Sequence, residues 1–372
     1  MENKKSLFDK SQRELEEFCV LSGFKRYNAR QIMRWVYFYQ TFDFAKMTDI
    51  PKFLRDELMN NFHTGLPAIL ETTYEEDIKG YSKKYLIGLK DNKTIESVLI
   101  NYNDGRKTLC ISSQTGCKMG CAFCETAGLG GGRNLSSGEI LSQILLISAD
   151  IKEAGLGPAP VHSGRAHGSA EPASKITNVV FMGMGEPLDN MVEVEKSLNI
   201  MSDNNFLAIA PRKITISTCG LLDKLKNIEK FKYKIAISLN ASDDITRNEL
   251  MPVNKKFPLE DIVNLINRKK PSIHNKITLE YVLIKGVNDG ILNAKELIKM
   301  FSPSKVKFNL IPLNKGKNSI FLKNFERPDN DAVNNFKLKL LKAGFTVTTR
   351  FSKARSINGG CGQLTAKTIC SR

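Results

Sequence analysis

Apolar positions follow three successive patterns along this chain. Over residues 1 to about 65 they recur at helical spacing. Ser11 and Glu14 stand at capping-box spacing ahead of Leu15, Phe18 and Val20, and Gly23 follows as a stop. A second helix carries Ile32, Met33, Trp35, Val36 and Phe38. A third starts near Pro51, with Phe53, Leu54 and Leu58 expected on one face. From about 68 to 104 the period shortens to that of strands: Tyr85-Leu86-Ile87 and Val98-Leu99-Ile100 flank the turn-forming Asp91-Asn92-Lys93.

Beyond that, strand and helix patterns alternate. Strands are expected at Leu109–Ser112, Ile176–Met182, Lys213–Ser217, Ile235–Leu239, Thr278–Leu283, Val306–Leu310 and Phe345–Thr349. Helices are expected near 137–153, 191–204, 221–230, 258–268, 291–301 and 329–343. Such βα repetition implies a parallel sheet with helical crossovers. Six units fall short of a closed eight-stranded barrel, so the α/β fold predicted is a partial (βα)6 TIM-like barrel; a flat doubly wound sheet is the alternative. The chain divides into a helical accessory domain (1–65), an antiparallel strand region (66–104), the partial barrel (105–345) and a C-terminal tail (346–372). Residues 155–175, rich in Gly, Pro, Ala and Ser, read as a surface loop. Its His162 and His167 lack the further ligands a metal pair would need.

Charge narrows the partners. Lys plus Arg exceed Asp plus Glu by sixteen and the pI is about 9.4, which favours a polyanion such as RNA, although a generally basic proteome would give the same excess. The polar N-terminus resembles no signal peptide and no apolar run reaches membrane-spanning length, so a soluble cytoplasmic protein is expected. In that compartment eight cysteines are not a disulfide framework.

Three of them lie together in Cys117-Lys-Met-Gly-Cys121-Ala-Phe-Cys124. Three thiolates on one Gly-containing loop can hold three irons of a [4Fe–4S] cube and leave the fourth open to a small molecule. Zinc competes as a reading, but structural zinc asks for four ligands in paired spacing, and no second pair follows. Further chemistry belongs at the carboxyl ends of the strands. There stand Gly183-Met184-Gly185-Glu186-Pro187, Ser217-Thr218-Cys219-Gly220, Ser238-Leu239-Asn240 and Pro312-Leu313-Asn314.

The spacing of Cys117, Cys121 and Cys124, with Phe123 before the last, resembles the radical S-adenosylmethionine (SAM) superfamily. The resemblance implies that the open iron chelates SAM and that an electron cleaves it to methionine and a 5′-deoxyadenosyl radical. Five segments narrow it to the RlmN/Cfr group of RNA adenine methylases: TLCISSQTGC (108–117), FMGMGEP (181–187), ITISTCG (214–220), ELMPVNKKFPLEDIV (249–263) and GGCGQL (359–364). By that resemblance Gly185, Glu186, Ser217, Ser238, Leu239, Asn240 and Asn314 line the SAM site, with Glu186 accepting from the SAM ammonium group. Cys361 accepts a methyl group from one SAM, and a radical from a second activates it for addition to the adenine ring. Glu96 removes the ring proton. Cys110, which by itself reads as a buried strand cysteine, releases the product by forming a disulfide with Cys361. Implied partners are 23S rRNA, tRNA and an electron donor such as flavodoxin, with the chain a monomer and no membrane involved. Gly-Glu-Pro at 185–187 favours the branch that methylates adenine C2 over the Cfr-like branch that methylates C8.

Three features depart from the group's pattern. Asn240 stands where histidine is usual, RFSKARSINGG replaces an acidic run before Cys361, and the 155–175 insert is longer. Competing readings are a non-catalytic zinc or iron–sulfur RNA-binding protein and a radical SAM enzyme acting on a small molecule.

Overall fold

The computed structural model describes residues 4–78, 80–153, 176–225, 231–270, 276–314, 325–350 and 354–366. The 155–175 insert with His162 and His167, and Cys370, lie outside the described residues. In chain order the elements are β1 (Lys5–Ser6), α1 (Gln12–Leu21), α2 (Tyr27–Met33), α3 (Lys52–Asn61), β2 (Phe62–His63), β3 (Ala68–Asp77), β4 (Gly80–Gly88), β5 (Thr94–Tyr102) and β6 (Lys107–Cys110). Then follow α4 (Ser137–Glu153), β7 (Asn178–Phe181), α5 (Met191–Ser202), β8 (Ile214–Thr218), β9 (Lys234–Ser238), α6 (Asp244–Leu250), α7 (Leu259–Arg268), β10 (Ile277–Leu283), α8 (Ile291–Met300), β11 (Val306–Pro312), α9 (Asn330–Lys342) and β12 (Thr346–Thr349).

Ten strands form one sheet in the order β12-β11-β10-β9-β8-β7-β6-β5-β4-β3. From β6 to β12 every pairing is parallel and each strand neighbours the next in sequence. A doubly wound sheet would reverse its strand order at a switch point. This order never reverses, so the crossovers wind in one sense, as in a barrel, and the expected partial barrel stands. The strands of 66–104 are not a separate layer: β3, β4 and β5 continue the same sheet in antiparallel pairing.

Boundaries shift by a few residues for local reasons. The first barrel strand stops at Cys110 rather than Ser112, because Ser112 leaves the ladder: its N–H donates to Gln143 Oε1 (2.8 Å) and its Oγ to Glu96 O (2.7 Å). In place of the helix expected from 221, residues 221–225 make two short turns (Lys224 N to Leu221 O, Leu225 N to Leu222 O); the remainder falls on undescribed residues. At α1 the capping box is present and Gly23, at φ +82°, ends the helix. On α3, Leu54 and Leu58 are buried, but Phe53 is 78% exposed. Positions 53 and 54 are about 100° apart on a helix, and only the latter faces the core.

The N-terminal helices share the barrel's hydrophobic core. The Tyr37 ring packs on Phe206 at 6.2 Å, Glu14 pairs with Lys196 of α5 (2.7 Å), and Asp9 Oδ1 accepts from Gly138 N at the start of α4 (3.0 Å).

Candidate active site

The cleft opens at the carboxyl ends of the parallel strands. Its walls carry Cys117, Cys121 and Cys124 from the loop after β6; Gly183, Gly185 and Glu186 after β7; Ser217 and Cys219 at β8; Ser238 and Asn240 at β9; Glu280 on β10; and Asn314 after β11. Cys361 and Gly362 close it from the C-terminal tail. Empty space in the cleft amounts to about 890 Å³, part of it open solvent.

Local structure explains these positions. Gly185 sits at φ +97°, and a Cβ there would lie 2.5 Å from Gln114 Cβ, so only glycine lets the β7 loop fold against the cluster loop. Gln114 fixes that contact by accepting from Glu186 N (2.9 Å). The Glu186 carboxylate accepts from Cys219 N (2.7 Å) and Leu188 N (3.0 Å). Burial raises its carboxyl above the usual range, against the pull of those donors. A cationic ligand group beside it would favour the carboxylate.

Asn240 adopts φ +59°, a left-handed conformation that asparagine tolerates better than most residues. Its Oδ1 accepts from Val282 N (2.8 Å), locking β9 to β10. Asn314 Nδ2 donates to Cys361 O (3.3 Å), tying the strand-end residues to the tail. Leu239 differs from its neighbours. Its side chain is fully buried in the core, and only its backbone serves the site, its carbonyl accepting from Arg247 Nε (3.0 Å).

The thiols answer whether a cluster fits. Burial pushes Cys117 up to about 12, Cys121 well above its ordinary value and Cys124 upward. Such thiols need the charge of a bound metal to become thiolates. Among the described residues no three His, Cys, Asp or Glu are gathered as a single bound ion requires. A cube gives each thiolate its own iron, so its ligands must ring a volume rather than converge on a point. Cys117, Cys121 and Cys124 all line one cleft, as the ligands of such a cube would have to.

A smaller cavity adjoins the cleft. It is lined by Cys110, Val98, Met182 and Arg350, and Cys361 belongs to both. All seven described cysteines are free thiols. Cys110 is pushed up to about 12, by burial first and then by Cys361, with Arg350 opposing. Cys361 is raised by burial and drawn back by the Arg350 guanidinium.

The sequence of this fold has relatives. The family model of the ribosomal RNA large subunit methyltransferase N-terminal domain matches residues 5–63. The dual-specificity RNA methyltransferases RlmN of Campylobacter lari and Syntrophotalea carbinolica are each 38% identical to this chain. The first alignment covers 98% of this chain and 98% of the relative; the second covers 96% and 89%. A crystal structure of a radical SAM methyltransferase from Sphaerobacter thermophilus superposes with a TM-score of 0.82 at 33% identity, over 97% of this chain and 99% of that one.

The chain belongs to the RlmN family.

It is therefore a methyltransferase of the radical SAM class. Against that family's expected site, the cleft gathers the three loop cysteines with Gly185, Glu186, Ser217, Ser238, Asn240 and Asn314, and Cys361 with Cys110 beside it. Glu96 stays outside the cleft. Its Oε1 pairs with Lys84 Nζ (2.8 Å), and its Oε2 accepts from Thr365 N (2.8 Å) and Ala366 N (3.2 Å).

Three residues were missed by the sequence reading. Glu280 is buried on the cleft wall, accepting from Ser217 Oγ (2.6 Å); a carboxylate inside the apolar strand ITLEYVL was the overlooked signal. Arg247 is fully buried, donates to Leu239 O, Cys219 O and Asn254 Oδ1, and is brought down to about 10 by burial. It braces the ends of β8 and β9. Arg350 follows β12, and nothing in its neighbourhood of sequence marks it.

Proposed function

We propose that this enzyme methylates C2 of a specific adenosine in the peptidyl-transferase centre of 23S rRNA, and C2 of the adenosine beside the anticodon in tRNAs. The observation that carries the reading is the double position of Cys361, in the wall common to the three-cysteine cleft and to the cavity that holds Cys110. The names of the relatives support RNA as substrate.

Adenine C2 is electron-poor, so it does not attack a sulfonium methyl as a nucleophile would. A carrier answers this. When bound in the cleft, the cluster and SAM supply a transferable methyl group and a hydrogen-abstracting carbon radical. Cys361, as thiolate, takes the methyl as a thioether. Loss of a hydrogen from that methyl leaves a carbon radical that adds to C2. A carboxylate, assigned to Glu96, removes the ring proton, and one electron leaves the adduct, which a bound cluster in its oxidised state would accept. The Cys110 thiolate then attacks the sulfur of Cys361. The S–S bond forms, the C–S bond breaks, and its electron pair stays on carbon, which takes a proton to complete the methyl.

Arg350 beside both sulfurs favours their thiolates. Exposed Lys25 and Arg26, between α1 and α2, and Arg30 on α2 supply an RNA-docking surface. Electrons come from a flavodoxin-type donor, and the enzyme works as a cytoplasmic monomer. No helix among the described residues is long and apolar enough to cross a membrane.

Mass mapping of adenosines from cells with and without the gene tests this. Loss of 2-methyladenosine from both RNAs is expected; loss of 8-methyladenosine instead would move the enzyme to the Cfr-like branch.

A further inference from the structure

Strand register brings Lys84, Val98 and Cys110 into one row across β4, β5 and β6, on a single face of the sheet. Glu96 lies on that face two residues from Val98 and reaches Lys84 diagonally. The tail crosses this face. It passes close over Val98 at Gly359, where a Cβ would stand 3.4 Å from Val98 Cγ2. On one side the tail is tied to the cluster loop: Gly362 O accepts from Glu125 N (2.8 Å) and Leu364 O from Thr126 Oγ1 (2.8 Å). On the other side two successive amides, Thr365 N and Ala366 N, converge on one oxygen of Glu96. Ala366 takes φ +35° to make that nest. Glu96 is only 3% exposed, so the ion pair with Lys84 is a buried one.

We propose that Lys84 and Glu96 form a latch on the tail that presents Cys361, and that incoming RNA opens it by claiming Glu96. This rests on the reading of Cys361 as methyl carrier. With three hydrogen bonds engaging its two oxygens, Glu96 is a weaker base toward a ring proton until it drops a partner. Lys84 is the partner to keep, because leaving its ammonium buried and unpaired costs more than returning two backbone amides to water. The latch therefore holds Cys361 in place while it is loaded, and it frees the base only when the tail must move with the adduct. Lys84 is a positioning residue here.

The test is hydrogen–deuterium exchange of the tail peptide in the full-length enzyme, with methyl loading of Cys361 followed by mass in the same samples. Glu96→Ala should speed exchange at Thr365 and Ala366 by about tenfold or more, since two bonds to a charged acceptor are lost. Lys84→Met keeps the acceptor but not its cation, and should give a smaller increase together with slower methyl loading. Glu96→Gln, which retains one acceptor oxygen, should fall between wild type and Glu96→Ala. Adding target RNA should speed tail exchange in the wild type and change nothing in Glu96→Ala. Tail protection equal to wild type in both Glu96→Ala and Lys84→Met would overturn the latch, and so would a tail whose exchange ignores RNA. If Cys361→Ala still methylates RNA, the carrier reading fails, whatever the exchange data say about Glu96.

Discussion

The two halves of the sheet place their working residues differently. In the parallel half, β6 to β12, function sits just past the strand ends, in loops such as Gly183–Glu186 and Cys117–Cys124. In the antiparallel half, β3 to β5, the working side chains Lys84 and Glu96 lie in mid-strand. The cause is connection length. A parallel pair needs a long crossover, and the crossover's entry loop can be shaped around a ligand. A hairpin turn such as the one between β4 and β5 leaves no such loop, so chemistry must come from a face. The seam is β6, paired antiparallel to β5 and parallel to β7, and it ends at Cys110.

The widest separation between the halves should appear on replacing Cys117, Cys121 or Cys124 by Ala. Each variant should lose the brown colour, SAM cleavage and all RNA methylation, while its tail remains latched. Anaerobic reconstitution with iron analysis and visible absorbance checks this. A colourless, active wild-type enzyme would end the iron–sulfur reading, since a zinc protein shows no visible band.

At the seam, two substitutions should fail in different ways. Cys361→Ala should carry methyl to neither protein nor RNA. Cys110→Ala should load methyl, form the adduct and stall, giving a protein band that collapses on nuclease treatment. Normal turnover by Cys110→Ala would contradict the release step. The step should also depend on pH. With the Cys110 thiol pushed up to about 12, only its small thiolate fraction reacts, so adduct decay in the wild type should quicken about tenfold per pH unit between pH 7 and 9. A flat profile would mean that release is not limited by Cys110 ionisation.

The N-terminal helices belong with the parallel half, through Asp9, Glu14 and Tyr37. Deleting them would bare the barrel surface they cover, including Phe206 under Tyr37, so charge reversal is the cleaner experiment. Lys25→Glu, Arg26→Glu and Arg30→Glu together should weaken RNA binding by about tenfold or more and flatten its salt dependence, with SAM cleavage unchanged. Equal affinity and slope would place the RNA elsewhere.

Legibility in the sequence follows the same division. The parallel half was readable because each βα unit repeats a pattern and ends in small polar residues, so spacing gave the barrel and the three loop cysteines, while resemblance to the RlmN/Cfr group singled out the other cleft residues. The tail was readable only as far as Cys-Gly-Gln-Leu. Its partners depend on strand register, which local sequence does not reveal, and so the Lys84–Glu96 pair and Arg350 went unseen. Phe53 shows a smaller failure of the same kind: apolar residues were assigned to one helix face by type, and one of them faces outward.

The smallest expected effect separates the two faces of a single strand. On β4, Lys84 points toward the tail, whereas Lys83 and Tyr85 meet the same carboxylate on the far side. Lys83 Nζ lies 2.9 Å from Asp150 Oδ2, and Tyr85 Oη donates to that oxygen at 2.7 Å, fixing β4 to α4. Tyr85 is fully buried, so Tyr85→Phe removes a hydroxyl without opening a cavity. Asp150 keeps Lys83, so no buried charge is stranded, and the loss should stay near about 1 kcal/mol. A denaturation midpoint should register it, while SAM cleavage, methyl loading and tail exchange hold at wild-type values. If Tyr85→Phe loosened the tail as Lys84→Met is expected to, the two faces of β4 would not be independent. The Lys84 effect would then reflect general weakening of the strand rather than a latch.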